Sequence, residues 1–445
     1  MTIQTQPVRT AAEQALSAIL DQRLAQAGDS ALSGRVGTLR REAAAAFTAH
    51  GLPHRRVEEW KYTDLRAAQR VAAPPAGALS ATAEAEGNVR ALSVPNALRI
   101  LFVDGVLSHQ HSDLRDLEPG LSVRPLAEAL ETGAGADETF GALAPARYDG
   151  PLALNTAYLG EGLVIRVADG AQVTRPLHIA HVFTGDEAAA TFTRRLAHVG
   201  AGARVTLIES FSGRNGVAYQ VNDALELTTG DDSHVDYIRV QEEGDAALHL
   251  ATVMLEIGRN AKFHSFGLTS GAAVSRISVY GHLGGTHAQV GLRGVTLLKA
   301  RQHADVTLLL DHAVAHCESR ELFKTVLADE SHGVFQGKIV VRQAAQKTDG
   351  RMMSQCLMLG EFAQMDNKPE LEIFADDVQC GHGATAGDLD EDLLFYLKAR
   401  GIPAKEAEAL LIEAFVGEAL EFVENDDVRD SLIARAHAWL KKRAA

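Results

Sequence analysis

Between about residues 10 and 50, apolar side chains return every three or four positions, as Ala11, Ala15, Leu16, Ile19, Leu20 and Leu24 do. That spacing lines one face of an α-helix. Gly28 and Gly34 interrupt the pattern, an Ala-rich run from Val36 to His50 resumes it, and Gly51 with Pro53 ends it. A polar stretch with two aromatics follows, HRRVEEWKYTDL at 54–65, and then AAPPAGALSATAEAEGN at 72–88, which reads as a linker or exposed loop. From about residue 98 the texture changes. ALRILFVDGVL predicts a strand, a tight turn at Asp104-Gly105 and a second strand. From about 152 to 380, short β-rich runs alternate with turns, and long helical patterns are absent. Leu163–Val167, Leu177–Val182, Val205–Ile208, Val235–Val240, Thr252–Ile257 and Val306–Leu310 fit strands.

A loose repeat runs through this region. A turn is followed by a small residue and, two positions later, an apolar one. The small positions are Ala171, Ala203, Ser233, Ala261, Ala288, Ala304 and Gly333. The apolar partners are Val173, Val205, Val235, Phe263, Val290, Val306 and Phe335. Most steps are about 30 residues, with a shorter one from Ala288 to Ala304, and no helix lies inside them, which suggests coils of a β-solenoid. The small residue would sit at a corner, and the apolar one would point into the same interior, because strand side chains alternate. A β-sandwich also spaces its turns regularly and is the alternative.

Residues 388–443 return to helical spacing. Asp388 is the expected cap, with Asp390, Glu391 and Asp392 in the first turn where the dipole favours negative charge. Leu393, Leu394, Tyr396 and Leu397 form the apolar side. Gly401 ends that helix and Pro403 opens another, striped by Ala407, Leu410, Leu411, Ala414 and Phe415. Val428 to Lys442 gives a third, with Leu432, Ile433, Ala436, Trp439 and Leu440. Three parts result: a helical N-terminal region with linker over 1–97, a β core over 98–386 and a C-terminal helical domain over 387–445. A short isolated helix is marginal in water, so the last unit should pack on the core or on a partner.

Composition narrows the class. The chain has 445 residues, 46% of them hydrophobic, so it can bury a large core. Its 43 basic against 58 acidic residues leave a net charge of −15, which repels phosphate backbones and argues against nucleic acid. Only three cysteines occur, Cys317, Cys356 and Cys380, too few for a disulfide framework and consistent with a reducing compartment. With no signal-peptide pattern and no long apolar run, a cytoplasmic, non-membrane location is expected. No G-x-x-x-x-G-K-[ST] loop, G-x-G-x-x-G after a strand or H-E-x-x-H occurs, so the chain should not hydrolyse nucleotide alone.

Histidine is the chemically loaded residue, with 18 copies. Asp311, His312, His316 and Cys317 could converge on a soft metal, although core and surface placements on alternate faces are the favoured reading. Cys380-Gly381-His382-Gly383 is sharper. Two positions apart on a strand, Cys380 and His382 face the same way. Together they could bind a thiophilic metal, or the imidazole could depress the thiol pKa. Two ligands cannot close a site, so others must come from elsewhere, such as a second chain. The competing reading is a buried Cys beside a hydrogen-bonded His. Cys356, in MMSQCLMLG, reads as a buried thiol. Asp376-Asp377 would face opposite ways on a strand, which leaves a polysaccharide-cleaving β-helix enzyme unsupported.

KTDGRMMSQCLMLG, then KPELEIFADDVQCGHGATAGDLDEDLLFYLKARGI and AEALLIEAF, resemble the C-terminal half of the SufB/SufD family of the SUF iron–sulfur cluster assembly system. EEWKYTDL, LALNTAYLGEGLVI and CESRELFKTVLADES are similar to earlier parts of it, so the resemblance spans positions 58 to about 420. Of the two paralogues, Cys380-Gly381-His382-Gly383-Ala384-Thr385 looks like the SufD kind. Ser354 stands where the SufB kind carries a functional cysteine, and Cys356 falls two residues later. The resemblance implies a mainly β protein with a right-handed parallel β-helix core and helical ends. It implies a scaffold and not an enzyme, paired with SufB and recruiting the SufC ATPase through the C-terminal helices, with Phe395, Tyr396 and Arg400 as interface candidates. His382 and Cys380 would face SufB where a transient iron or nascent cluster forms, with no cofactor held tightly by the chain alone. A homodimer in isolation is a further expectation. A SufB-like chain that holds the cluster itself is the alternative.

Overall fold

A computed structural model describes residues 9–26, 33–76, 92–133 and 136–444. Gly28 and positions 77–88 of the expected linker lie outside the described residues. Two N-terminal helices, α1 (Ala11–Gln26) and α2 (Gly34–His50), are followed by the short α3 (Leu65–Ala68). The hairpin over 98–107 forms as β1 (Leu98–Val103) and β2 (Val106–Leu107), with Asp104 and Gly105 both at positive φ, as this tight turn requires. Then come β3 (Leu121–Pro125), α4 (Leu126–Glu131), α5 (Ala136–Thr139) and α6 (Gly150–Tyr158). The helix α6 corrects the β-only reading from residue 152. Asp149 caps it, accepting from Leu152 N, and the side chain of Asn155 bonds Thr193 O and Asn222 O, docking the helix on the β core.

From residue 161 the chain winds as a parallel β-solenoid, odd-numbered strands stacking in one sheet and even-numbered in the other. Sheet I runs from β1 through β5 (Leu177–Phe183), β7 (Arg204–Gly213), β9 (His234–Glu242), β11 (Lys262–Thr269), β13 (Gln289–Leu298), β15 (Glu318–Leu327) and β17 (Asp349–Met358) to β19 (Gln379–Gly387). Sheet II runs from β3 through β4 (Glu161–Val167), β6 (Ala190–Val199), β8 (Gln220–Thr229), β10 (Leu248–Ile257), β12 (Val274–Leu283), β14 (His303–His312) and β16 (His332–Val341) to β18 (Gln364–Ile373).

The repeat has a backbone cause. Before each strand of sheet I from β7 to β17 the chain turns through one left-handed residue. Gly202, Asp232, Asn260, His287, His316 and Lys347 form this column, with φ between 57° and 66°. Gly, Asn and Asp adopt that region most easily, which explains the polar turn signature. The next residue is the buried corner: Ala203, Ser233, Ala261, Ala288, Cys317 and Thr348. The short step from Ala288 to Ala304 is a change of column, since Ala304 pairs with Gly333 inside sheet II. A step of about 30 residues is thus one coil with one strand in each sheet.

The lumen is filled mainly by aliphatic ladders, with one buried ionic cluster. Arg195 Nε donates to Glu209 Oε1 at 2.6 Å and Arg195 Nη2 to Asp223 Oδ2 at 2.7 Å. Tyr237 Oη completes it, donating to Glu209 at 2.6 Å.

The EEWKYTDL segment straps the outside of sheet II across four rungs. Trp60 stacks on Arg276 of β12 at 3.8 Å, and Thr63 Oγ1 lies 2.9 Å from His303 Nε2 of β14. The Glu59 carbonyl accepts from Gln336 of β16 at 3.1 Å, and Glu58 accepts from Lys368 of β18 at 2.6 Å.

After β19 come α7 (Glu391–Ala399), α8 (Ala404–Leu420) and α9 (Asp426–Ala444). Asp390, not Asp388, caps α7, accepting from Leu393 N at 2.9 Å. The buried stripe of α8 is Ala407, Ile412, Val416, Ala419 and Leu420, rotated from the predicted one so that Leu410 is exposed. Val428, Leu432, Ala436, Trp439 and Leu440 of α9 are buried as expected. Both helices cover the outer face of sheet I against Ile238, Val240, Phe266 and Val295. No residue of α7 is buried.

Candidate functional site at the open end of the solenoid

The solenoid ends unevenly. At its start the antiparallel strands β2 and β3 close the sheets. At its finish β18 and β19 are edge strands, with no further rung stacked on them among the described residues. Cys380 and His382 lie on β19, in register with Gly350 and Met352 of β17. One rung deeper stand Ser319 and Glu321 of β15. Alternation along these strands turns 319, 321, 350, 352, 380 and 382 toward the lumen, so Cys380 and His382 share one face as their spacing predicts.

Their surroundings differ. Cys380 is half-buried, packed against the core with Sγ 3.7 Å from where a Cβ on Gly350 would stand. Burial pushes its thiol above the ordinary range, which runs against the idea that His382 depresses it. His382 is exposed at the rim. Beneath them Glu321 is buried, and loss of water pushes its carboxyl up to about 8 against the opposing pull of Ser319 and Arg293. The site therefore offers an imidazole, a protonated thiol and a protonated carboxyl. A cation arriving from outside would favour deprotonation of the last two. The pattern S-x-E-x-F over Ser319, Glu321 and Phe323 carried the signal for Glu321, an acid on the apolar face of a strand.

Ser354 and Cys356 also face inward on β17, but neither is available. Ser354 Oγ donates to Asn367 Oδ1 at 2.7 Å, bridging the lumen to sheet II. Cys356 is buried among Leu298, Ala304, Leu327 and Met358, its thiol pushed up to about 12 by burial. The Asp311, His312, His316 and Cys317 group disperses. Asp311 pairs with Arg342 outside, His312 is buried against Ser319, His316 stacks on His287 and Cys317 is a corner residue. Asp376 and Asp377 lie in the turn between β18 and β19, not on a strand. On α7, Phe395 is 73% and Tyr396 54% exposed, with the Arg400 guanidinium 5.1 Å from the Tyr396 ring.

The class these elements define is a parallel β-solenoid closed at one end and open at the other, with Cys380 and His382 on its terminal rung. Comparison with known proteins is more specific. Residues 181–415 match the model of the SUF system FeS cluster assembly SufBD core domain, and residues 20–179 match the SufBD protein N-terminal region. The chain belongs to the SufBD family. It is 30% identical to the iron–sulfur cluster assembly protein SufD of Escherichia coli over 86% of this chain and 88% of that one. A SufBD family protein of Synechocystis is 29% identical over 83% of each chain, and one of Mycobacterium tuberculosis 28% over 61% of this chain and 69% of its own. Among the described residues no helix is long and apolar enough to cross a membrane.

Proposed function

We propose that the chain is a SufD-type scaffold subunit of the SUF iron–sulfur cluster assembly system, without catalysis of its own and working in the cytoplasm. The observation that carries this is the display of His382 and Cys380 on an uncapped terminal rung whose two edge strands can accept another chain. A second solenoid of the same family, SufB, is the partner whose rungs match that edge, and it would supply the missing ligands. Iron and sulfide then arrive as cargo, with His382 and Cys380 binding iron transiently. The ATPase SufC would dock on α7 through Phe395, Tyr396 and Arg400. ATP-driven movement of that unit would open or close the rung junction.

The test is His382→Ala in a purified complex of this chain with SufB and SufC. Cluster formation should fall at least about tenfold while the three subunits still co-purify, the size of effect expected when one ligand of a shared site is lost. Unchanged cluster formation in an intact complex would refute the role of His382. A stable cluster reconstituted on the isolated chain would instead favour the SufB-like reading.

A further inference from the structure

Away from the open end, the outer face of sheet I carries a second group of ligands. His234 and Asp236 are two apart on β9, and His264 on β11 stands directly opposite Asp236. The loop between α8 and α9 lays Glu424 over them. One ligand atom each from His234, His264 and Glu424 falls within 4.8 Å of the others. Asp236 Oδ1 is 3.4 Å from His234 Nε2 and 3.7 Å from His264 Nδ1. Around a tetrahedral ion with bonds of about 2.0–2.2 Å, ligand atoms stand about 3.3–3.6 Å apart. The two Asp236 contacts fall near that spacing, while His234, His264 and Glu424 lie within 4.8 Å of one another, near enough to draw in around an ion.

A second observation points the same way. His234 Nε2 and His264 Nδ1 are both shielded from solvent, and neither makes a hydrogen bond. Two shielded nitrogens that both approach Asp236 Oδ1 without hydrogen-bonding it are costly unless something joins them. Nor is the loop there by chance. Phe422 covers His264 at a ring distance of 4.9 Å, and a Cβ on Gly291 of β13 would stand 2.6 Å from its ring. Position 291 therefore leaves room for the loop that delivers Glu424. Arg204 stands at the rim, 47% exposed, 2.8 Å from Glu424 Oε2 and 3.7 Å from Asp236 Oδ2, so an ion binding here would displace its guanidinium from both carboxylates.

We propose that His234, His264, Asp236 and Glu424 bind one divalent transition-metal ion, Zn2+ being the best fit. Two imidazoles with two carboxylates suit Zn2+ and its neighbours and disfavour Mg2+ and Ca2+. Glu424 is the ligand contributed by the helical unit, so the ion clips that unit to the solenoid. This assignment is independent of the cluster-assembly role.

The test uses the full chain carrying Cys380→Ser and His382→Ala, which removes the end site from the count. After chelator stripping it is titrated with ZnCl2 against a chromophoric chelator, and with CoCl2 followed by visible absorption. We expect saturation at one equivalent and the ligand-field bands of a four-coordinate ion. Adding His234→Asn or His264→Asn should weaken affinity at least about tenfold. His282→Asn, which removes an exposed histidine paired with Glu256, should change nothing. If either histidine variant fails to fold by circular dichroism, Glu424→Gln at the 53% exposed ligand gives the same readout. Absence of one-equivalent saturation, or an affinity unmoved by these substitutions, overturns the site.

Discussion

A carboxyl group kept protonated up to about pH 8 is a stability device with a definite sign. The ordinary value for Glu321 is 4.5, so the unfolded chain releases this proton well before the folded one does. Between those values the folded state holds the extra proton, and stability falls as pH rises from about 4.5 to about 8. Glu321→Gln removes the titration. The melting temperature of the variant should gain on the parent steadily across that window. Calorimetry showing a gap independent of pH would contradict the burial argument. Arg195 presents the opposite case. Arg195→Met leaves Glu209 with Tyr237 alone and Asp223 with the more distant Arg239, and should cost about 3–5 kcal/mol, read from denaturant midpoints. Little of this was legible from one sequence. Strand alternation marks Ser319, Glu321 and Phe323 as one face, but only the stacked neighbours show that the face is dry. Arg195 beside Arg194 reads as surface charge until Glu209 and Asp223 arrive from the next strands.

Among elements, α7 separates appearance from placement. Leu393, Leu394, Tyr396 and Leu397 have the spacing of a buried stripe, yet none is fully buried and Leu393 and Tyr396 are exposed. Periodicity reports a face that needs covering, not what covers it. Phe395→Asp should therefore leave the melting temperature within the scatter of a surface change, about 0.5 kcal/mol, and weaken capture of the ATPase subunit in a pull-down. Equal loss of both would place α7 in the core instead. The strap at 58–65 is the contrast. Trp60→Ala removes the Arg276 stacking and a residue only 3% exposed, and should cost about 3–5 kcal/mol by thermal denaturation. The sequence marked this segment by resemblance alone, because its polar residues satisfy rungs up to 310 positions away. Helix α6 was missed for a similar reason, since a short, mostly apolar segment of nine residues fits a buried strand as well as a short helix.

For the whole molecule, the coil repeat was readable because a left-handed corner restricts residue choice at every turn. The apparent half-step arose because sheet II uses small residues too, at Ala304 and Gly333. The open end was not read from the sequence, although Pro369 with Asp366, Lys368, Glu370 and Glu372 gives β18 the composition of an edge strand. Ile373, on the lumen-facing side of β18 and 41% exposed, lies in that end. Ile373→Lys should reduce both pairing with the second family solenoid and any self-association, measured by sedimentation velocity. Unaltered association would move the interface elsewhere.

A stack of coils behaves much as a one-dimensional lattice, each rung held chiefly by its neighbours. Like a zipper, it melts from whichever end lacks a stop. Here the stop exists at one end, where β2 and β3 cross the sheets, while β18 and β19 have a neighbour on one side. Amide exchange should be fastest on that last rung and slow inward, coil by coil. Fraying there would bring the half-buried Cys380 thiol into the solvent without unfolding anything else, and a second chain zipped onto the same rung would shut it again.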